Sequence, residues 1–269
     1  MLRSGAQPTV GSAVSNYNCL RILVLGDSGV GKSSLVHILC HGTVLTNPTW
    51  TIGASVEVKL HFYKEGSERE TKEKPVIIEF FDIGGSLQHK SSRHIFYHNF
   101  HGVMFVHDLT NKKSLKNLLK WNDELLNKNG ESWTGSVENM MRSYTTDYRT
   151  ERYLSVPVLV VGTKSDMMPS PARLDRVTTI GKDLGACDTI KLNCLNPGSV
   201  QPGTSCAVTL SKFYDKVIEN SSNNKLNSSY NSSPYTGHYH SAGSNSNKLS
   251  SSSNYSKLSS GNLTRIHID

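Results

Sequence analysis

Apolar residues fall in short runs separated by stretches of helical spacing. Residues 20–25, 76–81, 102–107 and 158–161 are rich in branched aliphatics, as expected of strands buried on both faces of a parallel sheet. Val56, Val58, Leu60 and Phe62 alternate with polar residues, so 56–62 reads as a half-exposed strand that runs antiparallel to its neighbour. A shorter strand is predicted at 189–193. Helical patterns cover about 32–40, 113–127, 171–184 and 206–219. Strands alternating with helices imply βαβ units, and the expectation is an α/β domain with a mostly parallel six-stranded sheet flanked by helices.

Composition sets the limits of that domain. From 221 to 262 there are 16 Ser and 8 Asn among 42 residues, with almost no aliphatics, too little apolar surface to offset ordering entropy. Residues 221–269 therefore read as a disordered Ser/Asn-rich tail, 1–18 as a flexible leader and 19–220 as the folded domain. One connection exceeds what a compact domain needs. Asp108 and Thr163 are 55 residues apart, roughly twenty too many, which marks an insertion near 122–156 with a short helix expected at 137–143. Trp133, Met140, Met141, Tyr144, Tyr148 and Tyr153 make that insertion a candidate protein-binding flank, with cover for the sheet edge as the alternative.

Of the net charge of +7, the tail carries Lys225, Lys248, Lys257 and Arg265 against Asp269, leaving +4 spread over 220 residues. No dense basic run remains to support nucleic-acid or membrane-surface binding. Five cysteines at 19, 40, 187, 194 and 206 match no zinc spacing, and reduced, buried thiols in a cytoplasmic protein are expected. No apolar run approaches a membrane span.

The chemistry concentrates at strand ends. Gly26-Asp27-Ser28-Gly29-Val30-Gly31-Lys32-Ser33 follows the first strand and opens the first helix, with Ser34 in the first turn. Such a P-loop wraps phosphates in backbone N–H groups at a helix N-terminus. Lys32 reaches the β- and γ-phosphates, and the Ser33 hydroxyl ligates Mg²⁺. Asp82 in Asp82-Ile83-Gly84-Gly85 ends a strand where a P-loop protein places a second carboxylate for the metal, and Gly85 offers a γ-phosphate amide. Histidines at 89, 94, 98 and 101 surround an expected second helix; the spacing of His94 and His98 could suit a metal, but a solvent-facing helix is the favoured account.

A Thr-Ile-Gly triplet at 51–53, nineteen residues after Lys32, together with the P-loop and the D-x-G-G element resembles a Rab- or Ras-type small GTPase. The resemblance implies that Thr51 ligates Mg²⁺ and contacts the γ-phosphate of GTP. Thr163-Lys164-Ser165-Asp166 resembles the N-K-x-D guanine signature with Thr in place of Asn. Asp166 would accept from both N1–H and N2–H₂ of guanine, which adenine cannot offer, and Lys164 would lie along the base. Thr163 lacks the amide, so weaker contacts to base and P-loop are expected. Asn193-Cys194-Leu195 stands where an S-A-K triplet closes the base pocket, so its lysine stem is missing, and Val44 replaces an aromatic ring. Ser86 stands where the water-orienting Gln belongs, which implies slow hydrolysis; Gln88 is the nearby substitute if the loop rearranges.

The segments LVLGDSGVGKSSLVHILC from Leu23, FDIGGS from Phe81, FVHDLTNKKS from Phe105 and LSKFYDKVIE from Leu210 narrow the resemblance to the Rab-like protein 3 family over about 19–220. Cysteine ends at Cys206, and a prenyl anchor is not expected. Two readings stay open: a slow GTPase switch in signalling or trafficking, or an interaction module whose GTP or GDP is structural. GTPase effectors or regulators, or a second copy of the chain, are the expected partners. A P-loop kinase or ATPase is disfavoured by Asp166.

Overall fold

The computed structural model describes residues 18–66, 72–127, 153–168, 174–230 and 266–268. The leader to residue 17, most of the insertion with its expected helix, and the tail from 231 to 265 lie outside the described residues.

Seven strands form one sheet: β1 (Asn18–Leu25), β2 (Ala54–Glu65), β3 (Lys72–Ile83), β4 (Gly102–Asp108), β5 (Val158–Thr163), β6 (Asp188–Lys191) and β7 (Ile266–Ile268), in the order β6-β5-β4-β1-β3-β2-β7. The pairings β1 with β3, β1 with β4, β4 with β5 and β5 with β6 are parallel. β2 runs antiparallel to β3, as its alternation predicts. The six expected strands are present, and β7 adds a short antiparallel edge to Ala54–Val56.

The helices are α1 (Lys32–His41), α2 (Lys112–Leu126), α3 (Leu174–Asp183) and α4 (Ser205–Tyr230). β1 explains why its run is apolar throughout. Ile22 and Val24 join one core cluster with Leu35 and Ile38 of α1 and Phe213 and Val217 of α4. Leu23 and Leu25 join the other, with Leu118, Trp121 and Leu125 of α2. Alternate side chains thus face opposite layers, each worth about 1.5–3 kcal/mol when fully buried.

Three expectations change. The segment between β3 and β4 holds two 3₁₀ turns, Leu87–His89 and Arg93–Phe96, in place of a second helix. Local bonds compete with helix there: the Gln88 amide donates to Ser86 Oγ at 3.3 Å, and His94 Nδ1 lies 2.6 Å from the Ser91 carbonyl oxygen. His101 Nδ1 accepts from the Arg21 amide at 3.0 Å, and His94 and His98 share no helix. The closing helix runs to Tyr230, well past residue 219, with the Ser222 hydroxyl bonded back to the Ile218 carbonyl at 2.9 Å. The cysteines are all free, but only Cys194 is buried and Cys19 is exposed. No helix among the described residues is long and apolar enough to cross a membrane.

Candidate functional site

The C-terminal ends of β1, β3, β4 and β5 meet at one rim of the sheet, where a parallel α/β fold places its ligand crevice. The loop leaving β1 turns through Gly26 and Gly29, both with positive φ, before Gly31 caps α1. A side chain at Gly26 would overlap the Val106 carbonyl of β4, so the close approach requires glycine. Ser28 and Gly29 are exposed, Ser34 is half-buried, and Lys32 is buried within the loop. Lys32 Nζ donates to the carbonyls of Gly26 and Asp27, both at 2.9 Å. Burial pushes the Lys32 ammonium below its usual range, and the carboxylates of Asp82 and Asp27 oppose that.

Three residues far apart in sequence converge beside it. Ser33 Oγ donates to Asp82 Oδ2 at 2.5 Å, Thr51 Oγ1 donates to the same oxygen at 3.1 Å, and the two hydroxyls are 3.0 Å apart. Hydroxyl and carboxylate oxygens gathered so closely are the hard donors that suit Mg²⁺, so the residues present fit the ion that a P-loop implies. Gly84 donates to the Gly53 carbonyl at 2.9 Å, joining the Thr51 segment to the D-x-G-G turn. A Cβ on Gly85 would fall within 2.6 Å of backbone atoms of Gly26, Asp27 and Ser28, so Gly85 packs directly on the P-loop.

Sequence reasoning missed the supports behind this turn. Asp27 is gripped by α2: Asn117 Nδ2 donates to Oδ2 at 2.7 Å and Trp121 Nε1 to Oδ1 at 3.0 Å. Arg93, only 2% exposed, stacks on Trp121 at 4.1 Å, pairs with Glu124 at 3.1 Å and reaches the Gly84 carbonyl at 3.5 Å. Tyr97 donates to the other Glu124 oxygen at 2.8 Å. The helical spacing of Asn117, Trp121 and Glu124 was the available signal; Arg93 had none.

At the base end, Thr163 departs from expectation. Its hydroxyl donates to the Val30 carbonyl at 2.5 Å and lies 3.1 Å from the His107 carbonyl, so the contact to the P-loop is kept by a shorter side chain. Lys164, at φ 57, pairs with Asp108 Oδ2 at 2.7 Å. Burial raises the Asp108 pKa, but hydrogen bonds from Lys164 and Thr110 outweigh it and hold the carboxyl below its usual range. Asp166 is exposed in the following 3₁₀ turn. The Ser165 amide donates to the Leu192 carbonyl at 3.4 Å, bringing this turn to the loop after β6. There the Asn193 side chain accepts from the Leu195 amide at 2.8 Å. Burial first, then the Asp166 charge, pushes the Cys194 thiol up to about 12. Leu195 is 67% exposed, a hydrocarbon where the lysine stem is absent.

The family described as Ras of Complex, Roc, domain of DAPkinase matches residues 21–142. Rab-like protein 3 of Mus musculus is 46% identical over 215 residues, covering 77% of this chain and 87% of that protein. The Danio rerio protein of the same name is likewise 46% identical over 215 residues, covering 77% and 88%. A small GTPase-like protein of Arabidopsis thaliana is 36% identical over 153 residues, 55% of this chain and 43% of its own length.

Proposed function

The chain belongs to the Rab-like protein 3 family of small GTPases, and from that premise we propose that it is a GTP- and GDP-binding switch with Mg²⁺ and slow hydrolysis, acting as a cytoplasmic regulator of signalling or trafficking. The observation that carries this reading is the meeting of Ser33, Thr51 and Asp82 beside Lys32. Ser33, Thr51 and Asp82 would hold Mg²⁺, which would supply positive charge against the phosphates. The P-loop amides from Gly26 to Ser34 and the Lys32 ammonium hold the phosphates. Thr51 and Gly85 sense the γ-phosphate, and Asp166 selects guanine with Lys164, Asn193 and Cys194 around the base. The Ser86 side chain is too short to orient an attacking water, and its hydroxyl already accepts from Gln88. Trp50 and Ile52, 88% and 65% exposed on either side of Thr51, and Leu87, 81% exposed after Ser86, offer apolar anchors to an effector or regulator. Chromatography of nucleotide released from the purified chain, followed by single-turnover hydrolysis with and without cell extract, tests the reading.

One observation favours the second reading, in which nucleotide is structural and the protein is an interaction module. Arg93 ties the turn at Gly84 to Trp121 and Glu124 through contacts that involve no nucleotide. A chain whose partner binds equally in the GDP and GTP states supports this second reading, with a second copy of the chain as one such partner.

A further inference from the structure

Behind the phosphate site, on the far end of α1, three side chains meet that the nucleotide reading does not use. His37 and His41 stand four residues apart on one face of α1, and Glu57 reaches them from β2. Their ligand atoms all lie within 4.8 Å of one another. His41 Nε2 is 3.0 Å and His37 Nδ1 4.0 Å from Glu57 Oε2. Glu57 is only 4% exposed, whereas His37 is half-buried and His41 exposed, so the cluster opens to solvent on one side.

We propose that His37 Nδ1, His41 Nε2 and Glu57 Oε2 form a binding site for a divalent transition metal of the Zn²⁺ class, with a fourth position open to water. Metal–nitrogen and metal–oxygen bonds of about 2.0–2.2 Å set donors somewhat over 3 Å apart in a tetrahedral shell, between the two separations found here. His37 Nε2 lies 3.2 Å from Thr43 Oγ1, and donating there leaves Nδ1 as the lone-pair nitrogen facing Glu57, the outer-shell arrangement that orients metal-bound imidazole. Two imidazoles and a carboxylate select a borderline ion over Mg²⁺, which demands oxygen ligands in an octahedron.

The neighbouring groups leave the site to these three. The ammonium of Lys59, two residues along β2 from Glu57, donates to the Leu39 carbonyl at 2.8 Å and so seals the end of α1. Cys40 packs against the core beneath α1 and is not one of the three converging ligands. In the absence of metal, His41 serves Glu57 as a hydrogen-bond partner, and metal would replace the shared proton. A filled site would brace α1 against β2 at the two ends of the 42–53 segment that carries Thr51.

The test is calorimetric titration of the full chain with Zn²⁺ in excess Mg²⁺, with Co²⁺ visible absorption in parallel. His37→Ala, His41→Ala and a tail variant with both His238→Ala and His240→Ala are compared. The expected result is one equivalent bound, a four-coordinate Co²⁺ band, no change in the tail variant, and affinity weakened more than about tenfold in each α1 variant. Nucleotide content, unchanged in both α1 variants, excludes misfolding as the cause. Absence of saturable binding to the wild type, binding that survives both α1 changes, or binding lost with the tail histidines overturns the proposal.

Discussion

The Thr163 hydroxyl donates to the Val30 carbonyl across 133 residues of sequence, fastening the end of β5 to the middle of the phosphate loop. The end of β5 and the phosphate loop are thereby tied together without the longer amide that the guanine signature ordinarily carries. Thr163→Val keeps the shape and deletes the donor, leaving a buried carbonyl unsatisfied at about 1–3 kcal/mol. GDP dissociation, followed with a fluorescent analogue, should accelerate about tenfold or more, and Thr163→Ser should restore it. Equal rates in wild type and Thr163→Val would mean that the loop is held elsewhere.

Acid should weaken the fold through His107. Its ring is 1% exposed in β4, and burial pushes its pKa down to about 4. The unfolded chain takes up that proton near pH 6.5, so the contribution is intact above 6.5 and is lost as pH falls toward 4. Between pH 7.5 and 5 the chain should lose about 2 kcal/mol of unfolding free energy from this group. Urea titrations of His107→Leu should show that increment missing; an unchanged pH dependence assigns it to other groups.

Arg93 is expected to hold the D-x-G-G turn. Arg93→Met keeps much of the packing on Trp121 but leaves Glu124 with Tyr97 alone, at a cost below the about 3–5 kcal/mol of a fully buried pair because Glu124 is 16% exposed. Hydrogen exchange of amides from Gly84 to Tyr97 should quicken well beyond the change in β1. Uniform acceleration across the sheet would show a global effect and no special tie to this turn.

Ser86→Gln should raise single-turnover GTP hydrolysis. The wild type should stay at or below about 10⁻⁴ s⁻¹, the unaided scale of a related enzyme that has the glutamine. A wild-type rate above about 10⁻³ s⁻¹ assigns the water to another group, with Gln88 the first to test.

The strands and the P-loop were legible because their signals are local: branched aliphatic runs, and glycines between a strand and a helix. Asp82 and Thr51 could be placed because one ends an apolar run and the other sits at a fixed interval from Lys32. What escaped depends on contacts across the chain. The Thr163 contact is not legible in the sequence, because a side-chain inventory does not show that parallel pairing of β4 and β5 sets its hydroxyl against Val30. The turns at Leu87–His89 and Arg93–Phe96 are invisible to residue spacing, which does not reveal side-chain bonds to the backbone. The length of α4 past 219 was hidden by its Ser- and Asn-rich composition, and β7 is three residues long, too short for any periodicity.

Guanine recognition by Asp166 in a Mg²⁺-dependent P-loop pocket is the core of the proposed function. Calorimetry of nucleotide-free protein with GDP and with ADP, in wild type and Asp166→Asn, addresses it most directly. Saturable GDP binding with Mg²⁺, ADP binding weaker by at least about a hundredfold, and loss of most of that preference in Asp166→Asn are the expected results. Equal affinity for the two nucleotides in the wild type, or a guanine preference that survives Asp166→Asn, would contradict it.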